Sequence, residues 1–259
     1  MGSPMKKAML EDNTVLITGG SRGIGRETAR LFCRAGANVY IMGRDAEALK
    51  DTAQRLSEEG CTVTPLRGDV RLAQDCKSCV EQVVGERRGI DVLINNAGMS
   101  MRGTFEETSI EVLRAMVEIN YLGAAVMSRY ALPHIKSAEG SIVFVSSISG
   151  LRGLPFIGPY GASKMALQGL AQSLRSELHH DGVHVGIVHV GFTENDPGKK
   201  TYSHDGRLVP LERSRYHQSQ REVAERLLLC VVKRKKEMVL TSIGRLAAFF
   251  YRFFPRLAD

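Results

Sequence analysis

The chain is predicted to be α/β, with a doubly wound, mostly parallel sheet of about seven strands and helices on both faces. Two observations predict it. Short runs that are apolar almost throughout, such as Thr14–Thr18, Val92–Asn95 and Val183–Val190, alternate with longer stretches of helical spacing. Strands apolar at every position belong to parallel sheets buried on both faces. The first run ends in a glycine-rich turn, Thr18-Gly-Gly-Ser-Arg-Gly-Ile-Gly25, which reads as the strand–turn–helix entry of a Rossmann fold. With 259 residues and 43% hydrophobic content, the chain is read as one such domain over residues 1–259.

The elements follow in order. After Thr14–Thr18, the stretch Gly23–Ala35 carries apolar residues at Ile24, Ala29, Leu31 and Phe32 and ends at Gly36, as a helix does. Val39–Met42 is a second strand, and Asp45 caps a helix that runs through Leu49 and Leu56 to Gly60. Thr62–Leu66, Val92–Asn95, Ser141–Ser146 and Val183–Val190 are further strands, with long helices over Glu111–Lys136 and Tyr160–His180. Right-handed crossovers place ligands beyond the carboxyl ends of the strands, where strand order reverses. Thr18, Gly43, Asp69, Asn95, Ser147 and Gly191 all lie at or just past such ends.

Bulk composition excludes several classes. The net charge of +7 forms no basic, aromatic-laced stripe, and only Lys233–Lys236 is concentrated, so no nucleic-acid partner is expected. The five scattered cysteines point to a reducing, cytoplasmic compartment. Cys76-Lys-Ser-Cys79 reads as two thiols on one helix. His184 and His189 fall on opposite faces of a strand, and no metal site is expected. Met1–Met9 is short, basic and without an apolar run, unlike a secretory leader.

Gly19, Gly23 and Gly25 allow a tight bend and close approach to a pyrophosphate at a helix amino end. The absence of Gly-Lys-Ser/Thr excludes a triphosphate-cleaving loop. After the second strand an NAD site places a carboxylate for the ribose 2′-hydroxyl. Here Gly43-Arg44 stands instead, with Arg22 inside the turn, a pair suited to a 2′-phosphate and hence to NADP(H) over NAD(H). Asp45 is the competing carboxylate, one place late, and is assigned to the helix cap.

The chemical half is the run Tyr160-Gly-Ala-Ser-Lys164, with Ser147 thirteen positions before Tyr160. A phenol is a poor base near neutrality. Lysine one turn along, with an oxidised nicotinamide, favours its phenolate, and lowering the pKa by roughly 2–3 takes about 3–4 kcal/mol. Ser147 would hold the substrate oxygen beside Tyr160; Ser146 is the alternative, pointing to the other face. No G-x-S-x-G elbow surrounds Ser147, which removes a serine hydrolase.

Together, the glycine turn, Asn95-Asn-Ala-Gly98, Ser147 and Tyr160-x-x-x-Lys164 resemble the short-chain dehydrogenase/reductase family over nearly the whole chain. The resemblance implies Tyr160 as acid/base, Lys164 as its pKa-lowering partner and ribose ligand, Ser147 as substrate-orienting hydroxyl, and Asn120 as support for a water-mediated proton relay. It also implies a cofactor wall. Gly19, Ser21, Arg22, Gly23, Ile24 and Gly25 would line the pyrophosphate turn, with Arg44 beyond it. Asp69 and Val70 would meet the adenine, Asn95, Ala97 and Gly98 the ribose, and Thr193 the carboxamide. One departure stands out: the family's Pro-Gly after the last strand is Val190-Gly191 here, and Asn195 replaces a common threonine.

Residues 195–219 are polar and read as a substrate lid. Met99, Met101 and Phe156 could line an apolar pocket or pack in the core. The segment 243–254, with five aromatics among its last six positions and arginines nearby, is read as an amphipathic helix. It would cover the pocket, form an oligomer contact or lie on a membrane surface. The expected activity is NADP(H)-dependent hydride transfer to or from a bulky, apolar ketone or secondary alcohol, in a homodimer or homotetramer. A 3-oxoacyl-thioester reductase and a non-catalytic cofactor-binding regulator are the alternatives.

Overall fold

The computed structural model describes residues 9–211, 218–242 and 244–246. In chain order the elements are β1 (Thr14–Thr18), α1 (Gly23–Arg34), β2 (Asn38–Gly43), α2 (Ala46–Glu58), β3 (Val63–Arg67), α3 (Ala73–Arg87), β4 (Val92–Asn95) and β5 (Met101–Arg102). They continue with α4 (Ile110–Val117), α5 (Gly123–Ser137), β6 (Ser141–Ser147), α6 (Gly158–Glu177), β7 (His184–Val190), β8 (Lys200–Ser203), β9 (Leu208–Pro210), α7 (Gln220–Val232) and β10 (Glu237–Val239).

Seven strands form one parallel sheet in the order β10-β7-β6-β4-β1-β2-β3. β1 pairs with β2 on one side, Thr14 opposite Asn38, and with β4 on the other, Val15 opposite Val92. The chain therefore reverses direction across the sheet between β1 and β4, and the crevice beyond their carboxyl ends is where such folds bind ligands.

Strand alternation divides the core in two. Val15 and Ile17 of β1, Val92 and Ile94 of β4, and Val143 and Val145 of β6 pack against Phe32 of α1, Leu49 of α2 and Leu227 of α7. Leu16, Leu93, Ile142 and Phe144 face Val80 of α3, Met127 and Ile135 of α5, and Leu167 of α6. Burial of each such side chain contributes about 1.5–3 kcal/mol. Cys76 and Cys79 belong to this second layer. Burial pushes their thiols up to about 12 and about 11, so both stay protonated packing groups, as the sequence suggested.

Three features go beyond the sequence reading. The long helix expected over Glu111–Lys136 is α4 and α5 joined by a π-helical turn, Glu118–Leu122. The expected lid contains a hairpin, since β8 and β9 pair antiparallel and β8 adds to β5 in a second, three-stranded sheet. β10 adds an edge strand to the main sheet. Of the helix expected over 243–254, all but Gly244–Leu246 lies outside the described residues.

Candidate active site

The glycine turn between β1 and α1 is built for close approach. Gly19 and Gly23 have φ of +67° and +58°, and a Cβ on Gly25 would stand 2.1 Å from the Gly19 carbonyl oxygen. The bare backbone beside the helix amino end suits a dinucleotide pyrophosphate. α1 has no acidic residue in its first turn and no side-chain cap of its own. The Gly23 N–H instead donates to Asp196 Oδ2 at 2.9 Å. Ser21 lies at the rim, its carbonyl accepting from the Thr52 hydroxyl at 2.7 Å, and Ile24 packs against the core.

Asp45 caps α2, accepting from the Ala48 N–H at 3.1 Å, while its second oxygen pairs with Arg22 Nη2 at 3.2 Å. Arg44 is exposed beside them. Burial alone would raise the Asp69 carboxyl, but hydrogen bonds from the Arg71 side chain and N–H, with the charges of Arg71 and Arg44, hold it below its usual range. Val70 stands where a Cβ on Gly123 would meet its side chain at 2.8 Å, so glycine there lets α5 approach the segment after β3.

The run after β4 bridges the reversal point. The Asn95 side chain turns away from the glycine turn and donates to Ser128 Oγ of α5 at 2.9 Å. Its neighbour Asn96, which the sequence reading did not single out, reaches the Thr18 and Gly19 carbonyls at 2.9 and 3.1 Å. The Ala97 N–H donates to Thr18 Oγ1 at 3.0 Å. Gly98 lies at the junction of two long side chains, since a Cβ there would meet Asn120 Oδ1 at 3.1 Å and Lys164 Nζ at 3.3 Å.

The π-helical turn explains the position of Asn120, because its extra residue re-aims one side chain inward. Asn120 is fully buried. Its amide accepts from the Met99 N–H at 2.8 Å and donates to the Met99 carbonyl and to Ser163 Oγ, both at 2.9 Å. That clamps the strand end to α6 beside Lys164. Ser147 ends β6, one residue later than the expected strand. Its hydroxyl accepts from the Ser149 N–H at 3.2 Å and is hydrogen-bonded with Tyr160. Ser146 points the other way and donates to the Lys164 carbonyl at 3.2 Å. Thr193 follows β7, its hydroxyl on the Gly191 carbonyl at 3.2 Å.

Burial dominates the electrostatics of the two groups on α6. Lys164 is 5% exposed; it donates to the Val145 carbonyl at 2.9 Å, and burial brings its pKa down to about 8. The Tyr160 phenol is held above its ordinary pKa, not below it. Burial raises it, while the hydrogen bond with Ser147 and the charge of Arg102 pull the other way. One charge that acts on the phenol is that of Arg102 of β5, which the sequence reading did not single out. Only its position four residues after Gly98 could have signalled it, and nothing in the sequence ties that spacing to Tyr160.

Comparison with known proteins agrees with this geometry. A family profile described as short chain dehydrogenase matches residues 13–206, about three quarters of the chain. The chain belongs to the short-chain dehydrogenase/reductase family. It is 33% identical to dehydrogenase/reductase SDR family member 7B of Bos taurus, over 97% of this chain and 80% of the relative. It is 29% identical to the oxidoreductase YxnA of Bacillus subtilis, over 98% and 72%. Among solved structures, LigD of Sphingobium superposes with a TM-score of 0.82 at 22% identity, covering 96% and 97%, a likeness of fold. The citronellol catabolism dehydrogenase AtuB of Pseudomonas aeruginosa gives 0.77 at 27% identity, covering 92% and 97%. This short-chain dehydrogenase is an NAD(P)-dependent oxidoreductase.

Proposed function

We propose that this enzyme uses NADP(H) to interconvert a ketone and a secondary alcohol. The observation that carries the reading is the meeting of Asn120 and Lys164 over the Gly98 backbone, with Tyr160 one turn before Lys164 on α6 and hydrogen-bonded to Ser147. When bound, the nicotinamide supplies or takes the hydride. Ser147 holds the carbonyl oxygen, and Tyr160, kept protonated by burial, donates the proton that turns the alkoxide into alcohol. Lys164 would hold the nicotinamide ribose, and Asn120 would fix the wall against which proton return runs. The glycine turn, with Ile24 and Ser21, would seat the pyrophosphate; Asp69 and Val70 would flank the adenine, Asn95, Ala97 and Gly98 the ribose, and Thr193 the carboxamide.

NADP(H) preference rests on Asp45, whose two oxygens are engaged by Ala48 and Arg22. That leaves Arg44 as the charge to meet a ribose 2′-phosphate, with Arg22 beside it paired to Asp45. A bulky apolar alcohol fits exposed Phe156 and Phe192 near the site and the citronellol named for one structural neighbour. The hairpin β8–β9 would act as the substrate lid. Exposed Ile110 and Val117 of α4 and Leu122 of the π-helical turn support assembly as a homodimer or homotetramer. A cytoplasmic setting fits five free thiols, and no described helix is long and apolar enough to cross a membrane; peripheral contact through the 243–254 segment belongs to the same proposal. The test is NADPH and NADH oxidation by purified enzyme against ketones and 3-oxoacyl thioesters. Turnover with NADPH at least tenfold above NADH, abolished by Tyr160→Phe while NADPH still binds, is expected. Unchanged turnover in Tyr160→Phe would remove Tyr160 from the chemistry.

A further inference from the structure

Arg102 is held at the mouth of the site by backbone contacts on two sides. Within β5, Met101 pairs with Tyr202 and Arg102 with Ser203 of the lid strand β8. The next N–H, of Gly103, donates to the Phe156 carbonyl at 3.0 Å, in the loop leading to Tyr160. Gly103 is pressed on the lid so closely that a Cβ would meet His204 Cβ at 2.5 Å. On the other side of the strand Met101 packs with Met116, Tyr160 and Tyr202. The backbone of Arg102 is therefore fixed between the lid strand and the loop that leads to Tyr160.

Its charge has no carboxylate partner among the described residues. The one hydrogen bond of its guanidinium goes to the Met101 carbonyl, at 2.9 Å. Nearby acids are engaged elsewhere: Asp205 pairs with Arg207 and Glu107 accepts from the Thr104 hydroxyl. An arginine fork on the strand that packs on Tyr160, exposed and with no ion pair among the described residues, matches the planar oxygens of a carboxylate or phosphate.

We infer that Arg102 selects substrates carrying an oxyanionic group close to the reacting carbonyl, and binds that group as the carbonyl sits between Ser147 and Tyr160. The inference rests on the oxidoreductase reading of the same site. It narrows the substrate to an apolar keto compound with one anionic end, the apolar part lying along Phe156 and Phe192. Arg102 thereby serves twice, holding the substrate and favouring the phenolate of Tyr160 once the proton has left.

The test compares benzoylformate, benzoylpropionate and acetylbenzoate, each with its methyl ester, in wild type and Arg102→Gln. Turnover is followed as NADPH oxidation and binding as a change in the fluorescence of bound NADPH. At least one acid is expected to exceed its ester in kcat/KM or in affinity. Arg102→Gln should cut that acid-to-ester ratio roughly tenfold to hundredfold, chiefly through KM, with Arg102→Lys restoring part of it. The ratio isolates recognition from whatever the substitution does to Tyr160. No acid preference in the wild type, or a ratio untouched by Arg102→Gln, overturns the inference while NADPH binding leaves the functional reading standing. Failure of NADPH itself to bind would overturn both.

Discussion

The Asp196 carboxylate accepts a hydrogen bond from the Gly23 N–H at 2.9 Å, across 173 positions of sequence. Its other oxygen takes Arg26 Nη2 at 3.2 Å and Gln220 Nε2 at 2.9 Å. One acidic side chain at the base of the lid thus caps α1 and ties it to α7, in a place where α1 has no acid of its own. Opposite charge at a helix amino end is stabilising.

Asp196→Asn should therefore lower the unfolding free energy by about 1–3 kcal/mol, since hydrogen bonds to a charged group are lost. Burial raises this carboxyl, but its bonds to Gln220, Gly23 and Arg26 hold it below 3.8. A depressed acid stabilises above its unfolded pKa and loses that contribution as pH falls. Urea titrations should show the two proteins converging toward acid pH; identical midpoints at neutral pH would count against the cap.

Lys164 predicts a pH dependence of the same sign in an alkaline window. Its folded pKa is about 8 against an ordinary 10.5. The unfolded chain binds the proton more tightly between those values, so the burial penalty is present in full below pH 8 and fades as pH rises to 10.5. Measured against Lys164→Met, wild-type stability should gain roughly 3 kcal/mol across that window. The buried thiols Cys76 and Cys230, pushed to about 12, act in the other sense above pH 9 but are common to both proteins. A flat difference would show that Lys164 keeps its charge without cost.

The proposed NADP(H) preference turns on Arg44. Arg44→Ala should weaken NADPH binding by about 1.5–3 kcal/mol, the range for a charged hydrogen bond, and NADH binding much less. Fluorescence titration of the two dinucleotides checks it, and equal losses would take Arg44 out of the 2′-phosphate site.

Gly25 tests the turn. Gly25→Ala places a methyl 2.1 Å from the Gly19 carbonyl oxygen, so backbone must shift, and a cost above about 2 kcal/mol with loss of NADPH binding is expected. Gly85→Ala in α3 meets nothing within 4 Å and should stabilise by about 0.5–1 kcal/mol. Thermal unfolding of the two variants in opposite directions confirms that contact, not glycine loss, is decisive.

Periodicity placed six of the seven parallel strands within one or two residues, because apolar runs have few polar positions to blur their limits; it missed the half-exposed edge strand β10. It failed where pairing depends on distant chain. β5 is two residues long and exists only because Tyr202 and Ser203 lie beside it. The helix over Glu111–Lys136 was read as continuous because a π turn keeps helical spacing while shifting the direction of Asn120. In Asn95–Gly98, adjacent asparagines are chemically alike, and only the packing of α5 sends Asn95 to Ser128 and Asn96 to the glycine turn.

By itself the sequence determined the sheet, the glycine turn at its switch point and the Ser147, Tyr160 and Lys164 set, since each depends on local spacing along one strand or helix. Tertiary structure alone decided which charges face which. It buried Lys164, paired Asp45 with Arg22, seated Asp196 on α1 and brought the charge of Arg102 to bear on the Tyr160 phenol. Electrostatic influence follows distance and burial, and neither is a function of separation along the chain.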